Sequence, residues 1–227
     1  MSQNSKIQVH RVTTRPLFRG TSDASRPIYG ASFKRGFDLS ITIILAPFVL
    51  AIVGILALLV CLDGGGVFYC QPRLGMGGKT FKLWKLRTMV PDADERLQAY
   101  LDSNPDARKE WDSTQKLRDD PRITSVGKYL RKYSFDELPQ LWNVFVGDMS
   151  LVGPRPMMPH QRQYYPGTAY FTMRPGITGL WQISERNDCT FAERAIHDNR
   201  YAAMISFSVD LWILSKTPAV VLQGTGV

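Results

Sequence analysis

The longest apolar stretch of the chain runs from residue 39 to residue 62 and contains no charged side chain. About 20 apolar residues suffice to cross a bilayer, so length alone predicts a membrane helix. Pro47 lies inside the stretch and predicts a sharp bend. Basic residues flank both ends, with Lys34 and Arg35 before and Arg73, Lys79, Lys82, Lys85 and Arg87 after. Positive charge marks the cytoplasmic side, so both ends are expected on one face of the membrane. A re-entrant helix bent at Pro47 meets that demand and a straight span does not. Each arm around Pro47 would be only about 15–25 Å long at 1.5 Å per residue, too short to cross alone. Ser40 or Thr42, about one turn before the bend, is expected to satisfy carbonyls that the proline frees.

The remaining pattern reads as a small, mostly helical α/β (α+β) domain with one β-hairpin. Residues 67–70 and 79–89 read as its strands, joined by a glycine-rich turn at 74–78. Residues 91–118 predict a charged helical hairpin broken at Asn104-Pro105, lying over the site. A basic helix is expected over 125–132. Leu138, Leu141, Trp142 and Phe145 then recur at spacings of three and four, which marks one apolar helical face. Asp136 is expected as its N-cap and Glu137 as its first residue, with Pro139 in the first turn and Gly147-Asp148 as the stop. Residues 174–179 read as a rigid turn, 191–204 as a helix and 205–221 as an interfacial or packing helix. The expected organisation is a mobile basic tail over 1–32, the re-entrant helix over 33–62 and a cytosolic catalytic domain over 63–227. The apolar run starts too late for a signal peptide, and no small-residue cleavage site follows it.

Composition narrows the partners. The chain has 227 residues, a net charge of +8 and a pI of about 9.5. Nucleic acid, anionic lipid and nucleotide-diphosphate substrates all suit that charge. Cys61, Cys70 and Cys189 have neither metal-ligand nor disulfide-framework spacing.

The candidate chemistry centres on Asp136 and Glu137. Ser134 and Glu137 have the spacing of a capping box, which is a common and purely structural arrangement. The chemical alternative is a carboxylate nucleophile kept ionised by a helix N-terminus. Lys128, Arg131, Lys132 and Arg155 around the pair favour the second reading, since they suit an anionic substrate.

The run Asp136-Glu-Leu-Pro-Gln-Leu-Trp-Asn-Val144, followed by Gly147-Asp-Met-Ser-Leu-Val-Gly-Pro-Arg-Pro156, resembles the bacterial monotopic phosphoglycosyl transferases, or bacterial sugar transferases. Lys34-Arg-Gly-Phe-Asp38, Phe81-Lys-Leu-Trp-Lys-Leu-Arg-Thr-Met89 and Arg174-Pro-Gly-Ile-Thr-Gly-Leu-Trp-Gln182 extend the resemblance from about Phe33 to the C-terminus. One departure is Ala46, where the family often has Ser before the bend proline. The resemblance implies hexose-1-phosphate transfer from a UDP-sugar to undecaprenyl phosphate, with UMP released. Asp136 would be the nucleophile and Glu137 a ligand for Mg²⁺. Lys85, Arg87, Arg131, Arg155, Arg174 and Arg186 would bind substrate. The location implied is the cytoplasmic face of the bacterial inner membrane, among membrane lipid, with no nucleic-acid partner and a homodimer left open.

Competing classes fit less well. A nucleic-acid-binding protein leaves the apolar run over 39–62 unexplained. A glycoside hydrolase needs its carboxylates roughly 5–10 Å apart across a sugar, which adjacent residues in one helical turn do not naturally give. A basic membrane-associated binding protein without catalysis is the remaining alternative.

Overall fold

The computed structural model describes residue 29 and residues 31–114, 117–184 and 191–224. The apolar run forms most of helix α1 (Ala31–Leu62), continuous through Pro47. Its most apolar window has a mean hydropathy of 3.1 and is only 6% buried, unlike the core helix of a soluble domain. Ile44, Phe48, Leu50, Ile55 and Leu58 are each 63–71% exposed. Thr42 does not satisfy a freed carbonyl as expected: its buried Oγ1 has no hydrogen-bond partner. Ser40 is exposed.

Strands β1 (Phe68–Leu74) and β2 (Thr80–Leu86) form the antiparallel hairpin. β1 extends four residues beyond the predicted strand end. It tolerates Pro72 because a strand in a two-stranded ribbon has a free edge. The charged helical hairpin follows as α2 (Ala93–Ser103) and α3 (Pro105–Thr114). Helix α4 (Ser125–Lys132) begins at Thr124, whose hydroxyl accepts from the Gly127 N–H at 2.9 Å. A β-carbon at Gly127 would lie 2.2 Å from the Thr88 carbonyl oxygen, so only glycine lets α4 press this close to the residues after β2.

A short 3-10 turn, Phe135–Glu137, precedes α5 (Gln140–Val146). Gly147 closes α5 in the left-handed region at φ 98°. Strands β3 (Ser150–Val152) and β4 (Gly176–Thr178) pair in parallel, so part of the expected turn at 174–179 is a strand. Helices α6 (Leu180–Ile183), α7 (Arg194–Met204) and α8 (Phe207–Leu222) complete the described chain. Leu83, Val144, Met149, Val152, Tyr201 and Ile213 are among the residues of the main core, which brings β2, α5, β3, α7 and α8 together.

Both ends of α1 are fastened to this one body. At the first end, the Asp38 carboxylate accepts from Ser150 Oγ at 2.7 Å and from the Leu151 N–H at 3.2 Å. Lys34 pairs with Asp210 of α8, and Arg35 donates to the carbonyls of Val144 and Phe145. At the second end, Val60 packs against Leu86 and Leu130, and Arg87 donates to the Val60 carbonyl at 3.1 Å. Asp210 places a charge within the largely apolar C-terminal stretch. It is fully buried, accepting from Tyr29 at 2.7 Å and Tyr201 at 2.6 Å as well as from Lys34. That makes α8 a packing helix at this level.

Candidate active site

The acid pair is built differently from its sequence expectation. Pro139, rather than Asp136, is the N-cap of α5, and Asp136 and Glu137 belong to the 3-10 turn before it. Ser134 makes no capping hydrogen bond and adopts a left-handed backbone at φ 55°. Non-glycine residues seldom occupy that region, and such strain is found where surrounding structure over-determines it. The capping box therefore does not form. Glu137 faces basic side chains instead.

Lys85 of β2 is the centre of that arrangement. Its Nζ lies 3.1 Å from Asp136 Oδ2 and 2.9 Å from Glu137 Oε1. Arg155 lies 3.5 Å from the same Glu137 oxygen. Asp136 is only 6% exposed, and burial pushes its carboxyl above the usual aspartate range. Lys85 works against burial, Glu137 adds to it, and Arg131 also favours the ionised form. A neighbouring lysine, rather than a helix N-terminus, is thus the main group opposing protonation of Asp136.

A cavity of about 770 Å³ opens over the pair. Its lining includes Lys85, Arg131, Arg155 and Arg73, with the start of α2 on another wall. Arg131 is braced by a 2.9 Å bond from its Nε to Thr88 Oγ1. Arg155 stacks over Trp181 at 6.0 Å, and its backbone carbonyl accepts from Arg194 at 2.9 Å. Asp120 and Arg122 form an ion pair, with Nη2 2.7 Å from Oδ2, and Arg122 also lines the cavity.

The other predicted basic residues have different surroundings. Arg87 reaches the cavity rim, but its guanidinium donates to the carbonyls of Gly66, Met89 and Val60. Arg174 is not among the cavity residues; its Nε donates to the Gly147 carbonyl at 2.9 Å, at the end of α5. Together with Arg35 it satisfies carbonyls that this helix end leaves open. Arg186 lies outside the described residues.

Arg73 is the cavity residue that sequence reading missed as a site. It donates to the Pro156 carbonyl at 3.0 Å and to Gln71, while its Nε is buried without a partner. Burial brings its guanidinium down to about 10, with Arg155 nearby acting in the same direction. The hairpin register contained the signal. Tyr69 stands opposite Lys85, and Gln71 and Arg73 follow at spacings of two, so all share the Lys85 face.

A magnesium ion suits this donor set only in company. Among the described residues, no group of three or more His, Cys, Asp or Glu side chains is placed to hold a metal. Magnesium commonly takes one or two carboxylates and completes its shell with substrate phosphate and water. Asp136 and Glu137 match that mode of binding.

Comparison with known proteins gives the same direction. Residues 29–224 match the family model described as bacterial sugar transferase. The chain is 46% identical over 225 residues to the exopolysaccharide production protein ExoY of Sinorhizobium fredii, covering 96% of this chain and 98% of that protein. It is 43% identical over 195 residues to the undecaprenyl-phosphate galactose phosphotransferase of Salmonella typhimurium, covering 85% of this chain and 41% of the relative. It is 35% identical over 202 residues to the undecaprenyl-phosphate glucose phosphotransferase of Komagataeibacter xylinus, covering 81% and 35% respectively.

Proposed function

The chain belongs to the bacterial sugar transferase family, and we propose that it transfers a hexose 1-phosphate from a UDP-sugar to undecaprenyl phosphate as an initiating step of exopolysaccharide synthesis. It is an enzyme of the undecaprenyl-phosphate hexose phosphotransferase type. The observation that carries the reaction is the pairing of two carboxylates on one lysine, beneath a cavity lined by Arg73, Arg131 and Arg155. A binding protein without catalysis would not need a buried carboxylate at the floor of an anion site.

In the first step an Asp136 oxygen attacks the β-phosphorus of the UDP-sugar. The bond from that phosphorus to the bridging oxygen breaks, and UMP leaves with the electron pair. An aspartyl phosphosugar results. In the second step an oxygen of the polyprenyl phosphate attacks the same phosphorus, and Asp136 leaves as a carboxylate. Polyprenyl diphosphate sugar is the product, and no net proton is consumed in the transfer. Arg73, Arg131 and Arg155 offset the phosphate charge that would otherwise repel the carboxylate. Lys85 keeps Asp136 available in its ionised form. Glu137 would hold Mg²⁺, which when bound supplies further neutralisation of the diphosphate.

The position of α1 supports a re-entrant hairpin on the cytoplasmic face of the bacterial inner membrane. Its two ends pack on the same domain, while the apolar middle around Pro47 is largely bare. Such a hairpin would hold the site near the headgroups, where a soluble nucleotide sugar and a lipid phosphate can both reach it. Tags at the N- and C-termini should both be accessible from the cytoplasm only. A periplasmic N-terminus would refute the hairpin.

The reaction is tested by screening UDP-galactose, UDP-glucose and their N-acetylated counterparts for UMP release with undecaprenyl phosphate. Radiolabelled donor without acceptor should label the wild-type protein and not the Asp136→Asn variant. Labelling that persists in the variant would assign the nucleophile elsewhere. Absence of label, with intersecting rather than parallel initial-rate lines, would favour direct attack by the lipid phosphate.

A further inference from the structure

A second cavity, of about 260 Å³, meets the first at Ser134, Glu137 and Arg155, which line both. Away from that charged end its walls are largely apolar, formed by Leu138, Leu141, Ile177, Ile183, Leu214 and Val220. Thr178 and Thr217 also line it, but their hydroxyls lie 2.8 Å apart and Thr217 donates to the Ile213 carbonyl. Gln182 differs. It is 7% exposed, lines the groove, and neither its Oε1 nor its Nε2 has a partner. Leaving a buried amide unmet costs about 1–3 kcal/mol. An apolar trough with one charged end and one unmet amide suits an amphiphile whose polar head is an anion.

We propose that this groove seats the first isoprene units of the polyprenyl phosphate acceptor, with its phosphate at the Ser134–Arg155 end. Gln182 donates through Nε2 to an oxygen of that phosphate. The inference rests on the transferase reading above and adds where the acceptor lies. Three observations select this occupant. The groove shares Ser134, Glu137 and Arg155 with the donor cavity, so a head group at that end lies beside the residues that flank Asp136. Arg155 supplies positive charge at that end alone. The α8 wall belongs to the helix that Asp210 fastens to Lys34 of α1, which ties the groove to the foot of the membrane helix. A volume of 260 Å³ is below that of a site for a whole drug-sized ligand, so the groove takes only the head-proximal part of a long chain.

The test uses the full chain in lipid nanodiscs. Val220→Trp fills the groove and is expected to raise the KM for undecaprenyl phosphate at least roughly tenfold. UMP release in a single turnover without acceptor should keep its wild-type rate. Gln182→Leu should raise the acceptor KM by roughly tenfold, as expected for one lost hydrogen bond to a charged group. Because filling variants can misfold, wild-type protein is also irradiated with a polyprenyl phosphate bearing a diazirine in its first isoprene unit. Crosslinks should map to residues 214–221 or 177–183 and be displaced by unlabelled acceptor. An unchanged acceptor KM in Val220→Trp with normal UMP release would overturn the groove assignment alone, as would crosslinks confined to α1. Equal displacement by phosphatidylglycerol would assign the groove to ordinary lipid tails and also overturn it. Wild-type protein that releases UMP from no UDP-sugar would remove the transferase reading beneath it.

Discussion

Among the described residues, two buried carboxylate–lysine clusters do different work. At the foot of α1, Asp210 has no exposed surface, and Lys34, Tyr29 and Tyr201 all donate to it. Neighbouring Asp38 is likewise met by Ser150 and the Leu151 amide. Each acid there is met by donors from its own chain, and the result is an anchor. At the Phe135–Glu137 turn one lysine serves two carboxylates, and the surplus positive charge of Arg73, Arg131 and Arg155 faces a cavity. A buried acid whose donors come from the fold holds structure together. A buried acid whose neighbouring cations await an anion is prepared for chemistry.

The largest expected effect separates the clusters by activity. Asp136→Asn should lower UMP-release turnover by roughly three orders of magnitude or more, as loss of a nucleophile commonly does. Its effect on stability has the opposite sign. Burial raises the Asp136 carboxyl in the folded state, so it favours folding below its unfolded pKa and loses that contribution as pH rises through the folded value. At neutral pH the ionised group therefore costs stability, and the variant should melt at or slightly above the wild-type temperature. A large fall in Tm would show that Asp136 is an anchor after all.

Asp210→Asn should do the reverse. Breaking a buried ion pair while leaving its lysine unpaired costs about 3–5 kcal/mol. In a chain of this size that lowers Tm by roughly 10 °C. UMP release per folded molecule should remain close to wild type. Loss of activity at unchanged Tm would erase the distinction between anchor and site.

Asp198 sharpens the comparison as a further buried acid. It accepts from Tyr165 at 2.7 Å, has Arg194 nearby, and is pushed up to about 6, mainly by burial. Its contribution to stability should be full below about pH 4 and lost as pH rises through about 6. The change is on the order of 3 kcal/mol, at 1.36 kcal/mol per pH unit. Unfolding followed from pH 4 to 7 should show that slope in wild type, and Asp198→Asn should flatten it. An unchanged slope would place the titration in another group.

The smallest effect concerns Ser134, whose left-handed backbone turns the chain into the acid pair. Ser134→Val should lose about 1–2 kcal/mol, while Ser134→Gly should stay within about 0.5 kcal/mol of wild type. Equal losses in chemical denaturation would mean that the hydroxyl, rather than the backbone angle, is what the turn requires.

Much of the fold was local and therefore legible. The apolar run, the helical hairpin broken at Asn104-Pro105 and the helix over 125–132 all follow from periodicity and breakers within a few residues. The acid pair and its motif were equally plain. The β3–β4 pairing was not, because its strands are short and lie more than 20 residues apart in sequence.

Sequence by itself determined the family, the long apolar helix and the identity of the two candidate acids. Tertiary structure decided what surrounds them. Lys85 meets Asp136 across 51 positions of sequence, and no local pattern states that distance. The same packing turned Arg87 and Arg174 toward backbone carbonyls, brought Arg73 into the cavity and buried Asp210 at the foot of α1. The physical reason is that helix and strand periods are set by neighbouring residues, whereas the energy of a charge is set by whatever the fold brings within a few ångströms of it.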